Sequence, residues 1–193
     1  MRKIGLFFGS FNPVHVGHLI IANYMAEQTE LEEVWLVVTP QNPLKQKRTL
    51  ANNYDRLHLV NLSIEKNPKL KASNIEFSLP QPSYTIDTLT YLREKYPENQ
   101  FTLIMGGDNL RTLHKWKNYE LLLRDYSIFV YNRPGYDLGD LATHENVKVF
   151  TEVPQMSISA SFIRKSLKEN HSIQFMVTDP VFEYLQDSDM YRD

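Results

Sequence analysis

Two apolar runs, Ile4 to Phe8 and Leu19 to Met25, flank the stretch Gly9-Ser-Phe-Asn-Pro-Val-His-Val-Gly-His18. Leu19, Ala22 and Ala26, with Ile21 and Met25, recur at helical spacing, so the pattern predicts a strand, a tight turn and a helix starting near Gly17 and His18. Gly9 has no Cβ, which lets the chain turn sharply and lets a ligand approach the main chain, and Pro13 keeps the strand from continuing. A helix that starts here turns unpaired N–H groups and the positive end of its dipole toward whatever sits over the turn. The stretch therefore predicts an anion site before any side chain is counted.

His15 and His18 lie three positions apart, on nearly one side of the helix start, so both imidazoles can reach one bound group. No Ser or Cys stands beside them at a hydrolase spacing. The chemistry this suits is stabilisation of phosphate charge during in-line displacement, where positioning and electrostatics do most of the work. Local sequence also leaves open two structural imidazoles or a metal site. The chain has no cysteine and no third ligand at a familiar spacing nearby, so no metal ligand is assigned.

Further along, β-like runs alternate with helical ones, which predicts an α/β fold, Rossmann-like and doubly wound, with a mainly parallel sheet and flanking helices. Strands are expected at 3–8, 33–39, 71–77, 101–105, 127–131 and 147–150. Helices are expected at about 17–30, 53–66 (with Tyr54, Leu57, Val60 and Ile64 on one face), 83–96, 109–124, 159–168 and 180–186. A length of 193 residues fits one domain spanning 1–193. The formal charge of −2 supplies no bulk basic field for nucleic acid. The N-terminal apolar run is too short for a targeting segment and no stretch reaches the length of a membrane span. Absence of cysteine is compatible with a reducing, cytoplasmic setting. A homo-oligomer is compatible with the sequence, which does not specify one.

Two long loops stand out, 40–50 with Lys45, Lys47 and Arg48, and 133–145 opened by Pro134 and Gly135. The first follows the carboxyl end of the second strand, where open α/β sheets bind ligands, and reads either as a basic flap over a triphosphate or as a solvated charge cluster. The second is assigned no role. A second glycine turn, Gly106-Gly107-Asp108, follows the apolar strand 101–105, so two such turns are expected to form the walls of one nucleotide crevice. Asp108 there is a hydrogen-bond acceptor for a ribose, an aid to placing metal-bound phosphate, or a helix N-cap. A third group, Ser157-Ile-Ser-Ala-Ser-Phe-Ile-Arg164, puts hydroxyls at a helix start and a guanidinium one turn later, a polyphosphate clamp or simply a good helix start.

Taken together these segments resemble known signatures. GSFNPVHVGH is similar to the HxGH signature of the nucleotidylyltransferase superfamily, and ISASFIR to the ISxTxIR signature near the C-terminus of those enzymes, with Ser161 keeping the hydroxyl of the usual Thr. Ser83-Tyr-Thr-Ile-Asp-Thr-Leu89 resembles the SYTxDTL block of the bacterial nicotinate-nucleotide adenylyltransferases, and Gly106-Gly-Asp108 with Trp116 resembles their GxD and W pair. The resemblance covers essentially the whole chain.

It implies the nucleotidylyltransferase fold and transfer of the adenylyl group of ATP to nicotinate mononucleotide, with Mg²⁺ carried by ATP, in NAD biosynthesis. It implies catalytic roles for His15, His18 and Arg164. ATP would be held by Gly9, Ser10, Phe11, His15, His18, Lys45, Gly106, Asp108, Ile158, Ser159, Ser161 and Arg164. The mononucleotide would be held by Tyr84, Thr85, Trp116 and Lys117, with Trp116 stacked on the pyridine ring and the carboxylate received by Thr85 and main-chain N–H groups near residue 117. Two positions depart from the family pattern: Pro43-Leu44-Lys45 stands where Pro-His-Lys is common, so Leu44 replaces the imidazole while Lys45 is retained, and Lys117 stands where an aromatic residue often follows the Trp. Transfer to nicotinamide mononucleotide, phosphopantetheine or an alcohol phosphate, a nucleotide sensor without turnover, and a nucleic-acid-binding protein are the competing readings.

Overall fold

A computed structural model describes residues 1–40, 50–132 and 135–192. Six strands form one sheet, β1 (Arg2–Gly9), β2 (Glu33–Val38), β3 (Leu70–Ser73), β4 (Asn99–Gly106), β5 (Ser127–Tyr131) and β6 (Val147–Phe150), in the order β3-β2-β1-β4-β5-β6. Every neighbouring pair is parallel. The strands are joined by helices α1 (Val16–Gln28), α2 (Asn53–Ile64), α3 (Thr85–Lys95), α4 (Gly107–Arg111) and α5 (Tyr119–Asp125), and α6 (Ala160–Lys168) and α7 (Asp179–Gln186) follow β6.

Alternation along the strands divides the core between the two faces of the sheet. Phe7, Val34, Leu36 and Val38 pack with Ile21 and Met25 of α1, Leu59 and Val60 of α2, Ile163 of α6 and Val181 of α7. Ile4, Leu6, Val37, Leu103 and Met105 pack with Leu89 of α3, Leu110 of α4 and Leu122 of α5. Helices on both faces of a parallel sheet are the doubly wound arrangement the alternation predicts. The chain runs outward from β1 to β3 and returns to the far side of β1 to place β4. Strand order thus reverses between β1 and β4, where such sheets open a ligand crevice at their carboxyl ends. Phe7 pairs with Ile104, and the same register brings Gly9 beside Gly106.

Three local expectations differ from the structure. The strand expected at 71–77 ends at Ser73 and continues as a single 3₁₀ turn, Ile75–Ser78, which buries Glu76. The buried face of α2 carries Arg56, Leu59, Val60 and Ile64, while Tyr54 is 67% exposed. An arginine among apolar positions hides the true stripe from a periodicity count. In the loop expected at 133–145, residues Asp140–Thr143 form another 3₁₀ turn.

Candidate active site

At the carboxyl end of β1 the left-handed residue is Phe11, with φ of 43°, rather than Gly9. Gly9 ends the strand and serves another purpose: a Cβ there would meet the Phe11 ring at 2.8 Å. The buried Phe11 ring in turn lies edge-on to His18, with centroids 5.1 Å apart. Gly9→Ala is expected to push this ring against His18 and lower turnover by about tenfold, less than the hundredfold that a full ångström of misplacement costs. Steady-state kinetics on the folded variant check this.

His15 is the N-cap of α1 and His18 its third helical residue. Their rings stack at 3.7 Å. The His15 N–H donates to His18 Nδ1 at 3.3 Å. With Nδ1 accepting, the His18 proton resides on Nε2, which makes that atom a donor. The helix start is less open than the sequence suggests, because Val16 N–H donates to Met176 O and His18 N–H to His15 O, both at 2.9 Å. The imidazoles therefore carry more of any anion recognition than the bare helix end does.

His15 is 7% exposed and its Nδ1 has no hydrogen-bond partner. Burial lowers its pKa to about 4 from the ordinary 6.5. In the ligand-free protein His15 is thus a neutral imidazole, able to donate one hydrogen bond but not to neutralise charge. Because the folded pKa lies below the unfolded value, the unfolded chain binds the extra proton first as pH falls. The contribution of His15 to stability is complete above pH 6.5 and is lost between 6.5 and about 4. Urea unfolding across that window is expected to show a shallower loss of stability in His15→Gln than in the parent chain.

Ser159 caps α6, its Oγ accepting the Phe162 N–H at 3.1 Å, which leaves the hydroxyl proton available to a ligand. Arg164 Nη1 donates to Asn12 O at 2.7 Å and Nη2 to Ser161 Oγ at 3.2 Å. Arg164 therefore fastens α6 to the turn after β1. Of the three readings of Asp108 the N-cap does not hold: Gly106 is the N-cap of α4, and Asp108 is an exposed residue in the helix's first turn.

These groups line one cavity of about 690 Å³ that includes Ser10, Phe11, His15, His18, Gly106, Asp108, Ile158, Ser159, Ser161 and Arg164. Tyr84, Thr85, Trp116 and Lys117 line a second cavity of about 450 Å³ together with Gly9. Ser10 and Asn109 belong to the walls of both. The structure thus gathers the expected residues into two adjoining groups, with Gly9 falling in the second rather than the first. Lys45 lies outside the described residues.

In the second cavity α3 begins at Thr85, and because the Asp87 and Thr88 N–H groups already donate to Tyr84 O, the donors this helix start can offer a ligand are the Thr85 hydroxyl and the Thr85 and Ile86 N–H groups. Lys117 Nζ pairs with Asp87 at 2.8 Å and lies 4.7 Å from the centre of the Tyr84 ring. Glu76 also lines this cavity; burial raises its pKa, against the opposing effect of hydrogen bonds from Thr88 and Thr39. Sequence reasoning missed it, because a strand reading of 71–77 gives no reason for the chain to fold an acid inward. Asn132 and Tyr131, in the first cavity, were missed as well. They sit at the end of β5, and position at a strand's carboxyl end is the one signal that points to them.

A family model described as cytidylyltransferase-like matches residues 6–166. A Flavobacterium psychrophilum protein named "Probable nicotinate-nucleotide adenylyltransferase" is 52% identical over 192 residues, 98% of this chain and 99% of its own length. A Cytophaga hutchinsonii protein of the same name is 52% identical over 183 residues, 95% of each chain. Among solved structures, Plasmodium falciparum nicotinic acid mononucleotide adenylyltransferase complexed with NaAD aligns with a TM-score of 0.83 at 20% identity, covering 99% of this chain and 98% of that one. That last likeness is one of fold.

Proposed function

The chain belongs to the nicotinate-nucleotide adenylyltransferase family, within the cytidylyltransferase-like proteins, and on that premise we propose how its residues divide the work. The enzyme is a nucleotidyltransferase that transfers the adenylyl group of ATP to nicotinate mononucleotide, giving nicotinate adenine dinucleotide and pyrophosphate in NAD biosynthesis. The observation that carries the assignment of sites is the pair of adjoining cavities sharing Ser10 at the β1/β4 switch point. One has imidazoles, hydroxyls and a guanidinium for a triphosphate. The other has an indole and a helix start for a flat ring bearing a carboxylate.

In this reading a phosphate oxygen of the mononucleotide attacks the α-phosphorus of ATP. The new P–O–P bond forms as the α–β anhydride breaks, and pyrophosphate leaves with the electron pair, without a covalent enzyme intermediate. His18 donates from Nε2 to the α-phosphate, where charge builds in the transition state. His15 donates as a neutral imidazole, and Ser159, Ser161 and Arg164 hold the departing phosphates. Among the described residues no group of three or more His, Asp or Glu is arranged to hold a metal, and Asp108 is the carboxylate on the wall of the first cavity. That donor set suits Mg²⁺ brought in by ATP and bound mainly through phosphate oxygens and water. All 193 residues act as one catalytic unit in the cytoplasm, with small molecules and not nucleic acid as partners. Among the described residues no helix is long and apolar enough to cross a membrane.

Lys117 places an ammonium at the mononucleotide cavity where relatives often carry an aromatic ring. Its pair with Asp87 is half-exposed, so the effect is small. Lys117→Met is expected to reduce the preference for the acid over the amide mononucleotide by about threefold, read from the ratio of kcat/KM values. Direct transfer itself is tested with ATP labelled at the α-phosphate. One labelled dinucleotide and one pyrophosphate per ATP are expected with nicotinate mononucleotide present, and no label on the protein without it. Label retained on the protein would replace direct attack by a two-step route.

A further inference from the structure

Arg56 is a fully buried side chain on α2, beneath the turn that follows β1, and it lines neither cavity. Its Nε donates to Ala51 O at 3.1 Å, Nη1 to Thr39 O at 3.0 Å and also to Ser10 O, and Nη2 to Asn53 Oδ1 at 2.7 Å. Every acceptor is neutral. Among the described residues no carboxylate lies within ion-pair distance of it. Tyr191, the charged-form neighbour that would help, is held as a neutral phenol by its own burial. A buried charge without a counter-ion is costly, and four neutral dipoles offset only part of that cost.

What Arg56 holds is the floor of the candidate site. Ser10 lies in the walls of both cavities and Thr39 in that of the second. The peptide between Ser10 and Phe11 is trans, so a Ser10 carbonyl turned to Arg56 directs the Phe11 N–H away from Arg56. The left-handed backbone of Phe11 needs such restraint. Arg56 reaches the same turn again through Ala51, whose N–H donates to Asn12 Oδ1 at 3.1 Å, while Arg164 grips Asn12 O. Two guanidinium groups thus clamp residues 10–12 from two helices.

We propose that Arg56 is a positioning residue for adenylyl transfer, which fixes the Ser10 and Thr39 carbonyls so that the turn faces the triphosphate, and whose unbalanced charge finds its counter-ion in the bound polyphosphate. The proposal rests on the first cavity holding the triphosphate. The test compares the parent enzyme, Arg56→Gln and Arg56→Lys, using calorimetric binding of α,β-methylene ATP with Mg²⁺ and steady-state kinetics well below each thermal midpoint. Arg56→Gln is expected to weaken binding by about tenfold or more, as removal of one charge near an anion at low effective dielectric does. Arg56→Lys recovers most of that affinity because it keeps the charge. Both lose turnover, since neither can bridge Ser10 and Thr39.

A purely structural arginine would lower the thermal midpoint in both variants and leave the affinity of the folded protein unchanged. Folded Arg56→Gln that binds the analogue within about twofold of the parent overturns the proposal. Where Arg56→Gln does not fold, the parent protein labelled with ¹⁵N arginine answers instead. The Arg56 Nε signal is expected to shift on adding the analogue while that of Arg192, anchored to Ser188 O, stays fixed; no shift at Arg56 overturns the proposal. Failure of the parent enzyme itself to bind the analogue rejects the triphosphate assignment, and the role of Arg56 with it.

Discussion

His18→Ala is expected to lower kcat by about a hundredfold to a thousandfold, the loss that follows removal of one preorganised donor to developing charge. His18 is fixed on several sides at once. The His15 N–H binds Nδ1, the His15 ring stacks on one face, and the Phe11 and Phe7 rings pack around it with centroids 5.1 and 6.2 Å away. An imidazole held this way presents Nε2–H without reorganising, which is what makes its hydrogen bond worth more in the transition state than in the ground state. KM for ATP is therefore expected to change far less than kcat. Near-normal turnover in a folded His18→Ala protein would remove His18 from the chemistry.

Arg164→Ala is expected to lower kcat/KM for ATP by about a hundredfold, because one side chain serves two purposes there. Its Nη1 ties α6 to Asn12 O, and Nη2 braces the Ser161 hydroxyl. Loss of the guanidinium frees the turn from one of its two clamps and, on the proposed division of work, removes a charge-assisted donor for the departing phosphates. Arg164→Lys would keep the charge without the fork and should fall between the two. Steady-state kinetics with ATP as the varied substrate distinguish the series, and thermal midpoints report how much of the change is structural.

Much of this architecture is legible in the chain because local pattern and tertiary role coincide. Ile4 to Phe8 reads as a strand and is the centre of the sheet, and Gly106-Gly107 reads as the partner turn and lies beside Gly9. The three motifs are each short and separated by many residues, yet the reversal of strand order between β1 and β4 brings them to one end of the sheet. What stays hidden has a common physical cause. Glu76 and Arg56 are charged residues folded inward, and patterning treats charge as a mark of the surface. Likewise the left-handed residue of the first turn is Phe11, while a sequence reading places the sharp turn at Gly9. The neutral state of His15 depends on burial by several elements, which no motif encodes.

The central claim is adenylyl transfer to the acid mononucleotide, and its most direct test is pyrophosphate release with ATP and Mg²⁺, comparing nicotinate mononucleotide with nicotinamide mononucleotide at equal concentrations. A site built on the start of α3 at Thr85, with Trp116 as a plate, predicts release with the acid form and strong preference for it over the amide. Equal use of the two would contradict recognition of the carboxylate at Thr85. No release with either substrate, in protein that still binds ATP, would contradict the assignment of the reaction itself.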